Sequence, residues 1–349
     1  MTTPRQAVEM ALQGGFPGKI PFTIYASKLP RCRLERDLRN RGLCPVERRV
    51  PVVSAVSPHV QVRQCTSSET GKTLVTTTYE TPVGTVQTVS EPAGFTSWMH
   101  EKMFKTVDDY KVIRFMVNDE QYRPSYEGFR QAEAEDGGDS IFRVGLGLEP
   151  LQCFVSGNFM DMQTFCYEWM DHRDEILDIA AVIRAKRLQV AAIIADSPAS
   201  HANYGGNVTV EVIGVEAFRQ YYIPCYNEVA EIFHAKGKKL GTHLDGNNKL
   251  IAADVAASDL DYIEAFTPAP DTDLTLAEAR SLWRDKVLWL NFPSSLHLKN
   301  NDEIIALTEE MFRTVSDHSG ILMGVTEDMP PFRHLESCRA IMDALDRIR

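Results

Sequence analysis

Lys238-Lys-Leu-Gly-Thr-His-Leu-Asp-Gly-Asn-Asn248 reads as a short apolar-rich strand that runs into glycine and a helix start, with His243 and Asp245 two residues apart at its end. Side chains at i and i+2 of a strand share one side, so an imidazole and a carboxylate stand together at the C-terminal edge. In parallel α/β folds that edge is where active sites assemble. The flanking pattern points to such a sheet. Beyond about Gly145, apolar segments at 190–195, 239–244, 262–266, 287–292 and 321–325 alternate with helix-like stretches such as 215–236 and 302–316. Short buried strands separated by helices mean a parallel sheet. Segments 20–25 and 141–146 bring the strands to seven, and 151–155 or 113–117 offers an eighth. The expected fold class is therefore α/β, a (β/α)8 TIM barrel. An open doubly wound sheet ranks second, because no Gly-x-Gly-x-x-Gly or Walker loop stands at a strand-to-helix junction.

The chain opens with a helix start: Thr3 as N-cap, Pro4 at the first helical position, and Gln6 to complete a capping box, with Gly14-Gly15 as the stop. From about 50 to 90 the texture changes to β-branched runs broken by Glu69-Thr-Gly-Lys72 and Thr81-Pro-Val-Gly84, which predicts an antiparallel β-meander inserted near the N-terminus. With 349 residues and 44% hydrophobic composition, one barrel-sized domain over 1–349 is expected. A formal charge of −11 without a long Lys/Arg block argues against a nucleic-acid partner. No long apolar run or secretory signal is found, so neither membrane insertion nor export is expected and the cytoplasm is the expected location. The seven cysteines never form Cys-x-x-Cys, which fits a reduced compartment without a zinc ribbon.

Polar residues fall where barrel strands should end. Asp196-Ser197 closes 190–195, His243 and Asp245 close the next strand, and Glu264 lies within 262–267. Asn291-Phe-Pro-Ser-Ser-Leu-His297 follows Val287, and Glu327-Asp328 follows 321–325. Convergence of this kind marks a barrel active site. Asp196 reads equally well as a helix cap, and a lone His243 would ordinarily be a satisfied core histidine. Its company changes the balance. Imidazole and carboxylate are ligands zinc accepts, a catalytic site needs about three of them, and His243, Asp245, Glu264 and Glu327 are the metal candidates. Glu264 has a second reading, as the partner that holds the imidazole tautomer. Asp196, His243 and Glu327 are the catalytic candidates.

Several of these stretches, in order, resemble the uroporphyrinogen decarboxylase superfamily: Arg5 to Glu9, Pro17 to Phe22, Asp196-Ser197, Tyr222-Ile-Pro-Cys-Tyr-Asn-Glu228, Lys238 to Gly246 and Ile321-Leu-Met-Gly-Val-Thr-Glu-Asp-Met-Pro330. The resemblance spans almost the whole chain and implies the barrel already reached. It also implies one of two chemistries, porphyrinogen decarboxylation or cobalamin-dependent methyl transfer by zinc enzymes. The decarboxylases' Met-Arg-Gln-Ala-Gly-Arg stretch is missing; Ala26-Ser-Lys-Leu-Pro-Arg-Cys-Arg33 stands there instead, with Lys28, Arg31 and Arg33 still able to bind an anion. The methyltransferases are the better likeness, through Thr81-Pro-Val-Gly84 and the strand with His243. In their thiol-acting branch the zinc ligands are His-x-Cys and a distant Cys. Here Asp245 stands at the first cysteine and Val325 near the second, with Cys338 too far along the next helix. Oxygen ligands leave zinc a stronger Lewis acid, which favours cleavage of a methyl ether such as a methoxylated aromatic. The resemblance then implies zinc, a small-molecule methyl donor, and a cobalamin (corrinoid) cofactor carried by a separate corrinoid-binding protein, since the chain has no Asp-x-His-x-x-Gly motif. Tyr25, Phe159, Tyr204 and Phe292 would line an aromatic substrate slot, with Asn291 and His297 as polar substrate contacts. The same aromatics serve equally as barrel core. A decarboxylase and a metal-free binding barrel remain as alternatives, and a homodimer is left open.

Overall fold

Thr3 Oγ1 accepts the Gln6 backbone N–H and the Gln6 side chain returns to the Thr3 N–H, so the expected capping box starts the helix Pro4–Leu12. Its buried face, Val8, Ala11 and Leu12, joins Tyr25, Tyr262, Trp289 and Leu322 in one core cluster. In this computed structural model the described residues are 2–69, 71–94, 96–208 and 210–348. The strands in chain order are β1 (Phe22–Tyr25), β2 (Leu43–Glu47), β3 (Val53–Val56), β4 (Gln61–Glu69), β5 (Lys72–Thr81), β6 (Gly84–Ala93), β7 (Thr96–Glu101), β8 (Gln121–Pro124), β9 (Ile141–Phe142), β10 (Val144–Gly145), β11 (His201–Asn203), β12 (Lys239–His243), β13 (Tyr262–Phe266), β14 (Val287–Leu290) and β15 (Ile321–Val325). Contacts divide the chain into two compact units, 1–52 with 125–146 and 194–349, and 53–124 with 147–193.

The first unit is a parallel sheet in the order β10-β11-β12-β13-β14-β15-β1-β2-β9. Its two ends are one stretch of chain, because β9 and β10 are separated only by Arg143. The sheet therefore closes on itself as an eight-stranded TIM barrel, with β9 and β10 as the two halves of one strand. Inward-facing side chains form layers. Gly241 of β12 stands opposite Tyr262 of β13, and one step up His243 stands opposite Glu264, which in turn faces Trp289 of β14. Trp289 Nε1 donates to Thr23 Oγ1 of β1 at 2.8 Å, and that hydroxyl donates to the Met323 carbonyl of β15. The strand pattern thus delivers His243 and Glu264 side by side at the end of the barrel where strands finish.

The second unit holds a four-stranded antiparallel sheet, β4-β5-β6-β7, and the antiparallel pair β3-β8. The Thr81-Pro-Val-Gly84 turn joins β5 to β6 as expected, with Thr81 Oγ1 donating to the Gly84 carbonyl and accepting the Val83 N–H. The meander runs on to Glu101, past the expected limit of 90. Among the described residues no helix is long and apolar enough to cross a membrane.

Three strand expectations are corrected. Residues 190–195 are the end of the 24-residue helix Arg173–Asp196. Its buried positions, Ile176, Ile179, Ala180, Ile183, Val190, Ala191, Ile194 and Ala195, recur at three- and four-residue spacing. That period belongs to a helix, and a six-residue apolar window is too short to show it. Within 151–155 the stretch Gln152–Val155 is helical, and so is 113–117. The missing strands are β2, which carries Pro45 in its interior, and β11, whose His-Ala-Asn has no apolar signature.

Gly241 is fixed by the layer beneath the site. A Cβ there would fall inside the Tyr262 ring, and Tyr262 is fully buried. Gly241→Ala is expected to destabilise the protein by about 1–3 kcal/mol, the usual cost of overpacking, read as a lower denaturant midpoint with unchanged slope.

Candidate metal centre

Glu264 has no solvent exposure, and charge in such a place persists only when matched. Four groups meet it. The Tyr25 hydroxyl of β1 donates to Oε1. Asn203 Nδ2 of β11 donates to Oε2 at 3.0 Å, His243 Nδ1 of β12 lies 2.6 Å from the same oxygen, and Arg143 Nη1 lies 2.8 Å away as an ion pair. Asn203 is itself aimed by the Tyr262 hydroxyl, 2.5 Å from its Oδ1. Burial alone would favour the neutral acid, but the charges of Arg143 and His243 and the hydrogen bonds from His243 and Tyr25 outweigh it and hold Glu264 well below the usual carboxylate range.

The other face of the imidazole looks outward. His243 Nε2 lies 3.4 Å from Asp245 Oδ2, and the ligand atoms of His243, Asp245 and Glu327 all lie within 4.8 Å of one another. All three are half-buried. Burial disfavours the charged imidazole, yet the Glu264 charge and the hydrogen bonds to Asp245 and Glu264 raise its pKa to about 10. Burial and then the Asp245 charge push the Glu327 carboxyl up. Two carboxylates crowded on one imidazole are the condition a cation relieves.

The donor set fits zinc. It offers one nitrogen and two carboxylate oxygens, three protein ligands with a position left over. Bonds of about 2.0–2.1 Å in a tetrahedron set ligand atoms roughly 3.3 Å apart, and the His243–Asp245 separation of 3.4 Å matches that edge. Glu264 fits the alternative reading: it lies behind the imidazole and fixes the Nδ1 side, so that Nε2 faces the open side.

The remaining expected site residues divide. Tyr25 is at the site, but its hydroxyl serves Glu264. Asp196 is not brought there: it ends the helix that precedes β11, on the side where strands begin, and pairs at 2.7 Å with Lys236. Asn291 is buried, donating to Thr267 and accepting the Thr326 N–H. Phe292 and His297 pack together at 4.9 Å, and His297 Nδ1 meets Ser337 Oγ. Burial, with the His334 charge, pushes the His297 imidazole down to about 4. Tyr204 is buried edge-on against Tyr226. Phe159 belongs to the second unit, edge-on against Phe154. Cys338 is buried in the helix His334–Arg347, its thiol pushed up to about 12 by burial, and it contacts Met329. Arg143 and Asn203 were not foreseen. Arg143 carries a signal, a lone charge within an otherwise apolar segment between β9 and β10; Asn203 carries none, because β11 itself is silent.

The clamp predicts the behaviour of Glu264→Gln. Removing one partner of a buried pair leaves Arg143 uncompensated and is expected to cost about 3–5 kcal/mol at neutral pH. In the parent protein the Glu264 contribution is complete above pH 4.5, its ordinary value, and is lost as pH falls toward its depressed native pKa. The His243 contribution has the opposite sign: it is complete below 6.5 and lost as pH rises through about 10. NMR titration of metal-free protein should find the His243 imidazole near 10 in the parent and lower in the variant.

The sequence pattern of uroporphyrinogen decarboxylase (URO-D) matches residues 154–348. Among solved structures, a methyltransferase from Methanosarcina mazei shares the fold at a TM-score of 0.59 and 13% identity, covering 99% of each chain. A catalytic module of the pneumococcal exo-β-D-N-acetylglucosaminidase StrH aligns at 0.40 and 11%, over 93% of this chain and 83% of that one. No curated protein matches. With its family pattern spanning more than half of the sequence on a barrel whose rim gathers His243, Asp245 and Glu327, the chain belongs to the uroporphyrinogen decarboxylase family.

Proposed function

We propose that this chain is a methyltransferase of the URO-D superfamily that takes the methyl group of a methoxylated aromatic substrate and passes it to cobalt(I) of a corrinoid on a separate protein. The observation that carries the reading is the half-buried His243–Asp245–Glu327 cluster backed by the Glu264 clamp. The family membership and the fold shared with the Methanosarcina mazei methyltransferase support it. Absence of a thiolate among the three donors favours an ether over a thiol as substrate.

In this reading the aryl oxygen–methyl bond is the one to be broken, and the phenoxide it releases takes up a proton. His243, Asp245 and Glu327 would hold a zinc ion, which would supply a Lewis acid for that leaving oxygen, and a bound corrinoid would supply the nucleophile that accepts the methyl group. The chain's own part is positioning. Glu264 holds the imidazole by Nδ1 and directs Nε2 outward. Asp245 and Glu327 bring negative charge to the same point from two different loops. Tyr25, Arg143 and Asn203 keep Glu264 from turning toward that point itself. The substrate slot falls to Tyr25 and the rim loops, and the barrel interior below is filled by Tyr262, Trp289 and Thr23.

The test joins metal content to turnover. Purified protein should hold about one zinc per chain, and His243→Ala should lose it. Because the imidazole must shed a proton to bind metal, zinc affinity should climb as pH rises toward about 10. A panel of methoxylated aromatics with reduced cobalamin should then show the colour change of cobalt methylation, lost in Asp245→Ala and Glu327→Ala. Protein that takes up no zinc and methylates no cobalt from any of the panel sinks the proposal.

A further inference from the structure

Several charges around the candidate centre have a partner among the described residues. Glu264 is balanced by Arg143 at 2.8 Å, and Lys28 pairs with Asp328. A divalent cation would be neutralised by Asp245 and Glu327. Arg48, just past the end of β2, is left over. Among the described residues no carboxylate lies within ion-pair reach of its guanidinium and it donates no side-chain hydrogen bond. Glu47, the nearest acid in sequence, turns Oε1 to the backbone N–H groups of Arg48 and Arg49 at 2.8 and 2.7 Å.

Arg48 is also pointed at the site. Its guanidinium lies over the Tyr25 ring, 3.3 Å from the centroid. Tyr25 donates to Glu264, and Glu264 holds His243, so three contacts link the guanidinium to the imidazole. Its charge is felt by both Glu264 and Glu327. A planar cation stacked on an aromatic face, with its edge N–H groups unused, presents a fork that matches a carboxylate.

We propose that Arg48 is the specificity-determining residue for an anionic substrate: its fork takes the carboxylate of a methoxylated aromatic acid while the methoxy oxygen faces His243, Asp245 and Glu327. The inference rests on the methyl-transfer reading for the second half of that statement, and the first half stands on charge alone. Tyr25 then has two tasks, a hydrogen bond inward to Glu264 and an aromatic face for Arg48.

Binding is measured first with probes that have no methyl group to transfer. Titration calorimetry should find benzoate bound about 10- to 100-fold more tightly than benzamide, the range of one charge-assisted hydrogen-bonded pair. Arg48→Met should erase that preference and leave benzamide affinity within about threefold, and Arg48→Lys should restore part of it, since it keeps the charge and loses the fork. The same ordering is expected in kcat/KM for 4-methoxybenzoate over 4-methoxybenzamide with reduced cobalamin. No benzoate preference in the parent protein, or equal weakening of both probes by Arg48→Met, overturns the role of Arg48. A benzoate preference that depends on Arg48 without any cobalt methylation upholds the carboxylate site and overturns the methyl-transfer reading instead.

Discussion

A single carboxylate with no access to water, Glu264, organises the rim of this barrel. Burying an unmatched ion costs several kcal/mol, so the fold must bring partners to it. They come from β1, from the break between β9 and β10, from β11 and from β12. Four strands widely spaced in sequence are thereby tied at one point, and their C-terminal ends cannot shift independently. The backbone just past Glu264 shows the same demand. A register shift separates Glu264 from Phe266 in the pairing with β14, and Ala265 between them takes φ 60°, in the left-handed region. A non-glycine residue there costs of order 1–3 kcal/mol and persists only where neighbours dictate it. Here the bulge lets Glu264 point inward while the strand continues its pairing.

The centre has two tiers of different stiffness. Behind the imidazole Glu264 is fully buried with both oxygens engaged, so the Nδ1 side of His243 is held in place. In front, Asp245 and Glu327 sit on loops after β12 and β15, half-buried, and their spacing is set by side-chain rotation as much as by backbone. Under the proposed reading that arrangement would fix one ligand and leave two able to adjust, as suits a site that holds a cation with one position open.

Much of this was legible in the sequence, for a physical reason: the period of a strand is two, so His243 and Asp245 had to share a side, and polar residues at the ends of apolar segments had to gather at one rim. The barrel class followed from the alternation beyond Gly145, and the capping box at Thr3 from local chemistry alone. Where the reading failed, the local signal was absent or ambiguous. Residues 190–195 are apolar enough for a strand, and only the spacing back to Ile176 reveals the helix that strands Asp196 on the wrong end of the barrel. The true strand β11 is three residues long and polar, so Asn203 and its bond to Glu264 could not be anticipated. Arg143 and Arg48 take their meaning from residues more than 100 and about 20 positions away respectively, Glu264 and Tyr25, and no window along the chain contains those pairings.

The identity of the donors carries the last step. The resemblance places a cysteine two residues beyond the histidine, and Asp245 occupies that position; the one cysteine in the C-terminal region, Cys338, is buried in a helix with its thiol pushed up to about 12. A thiolate would spread its charge onto a metal and soften it, whereas two carboxylates leave more positive character at the centre. Under the proposed reading that difference selects the bond to be broken. A thiol substrate binds a soft centre as a thiolate and needs little more help, but an ether oxygen is a poor ligand and a poor leaving group until a strong Lewis acid meets it. In that reading, oxygen in place of sulfur at Asp245 would move the site from holding a nucleophile to assisting a departure, and Arg48, stacked on Tyr25, would supply the grip that a weakly coordinating ether cannot provide for itself.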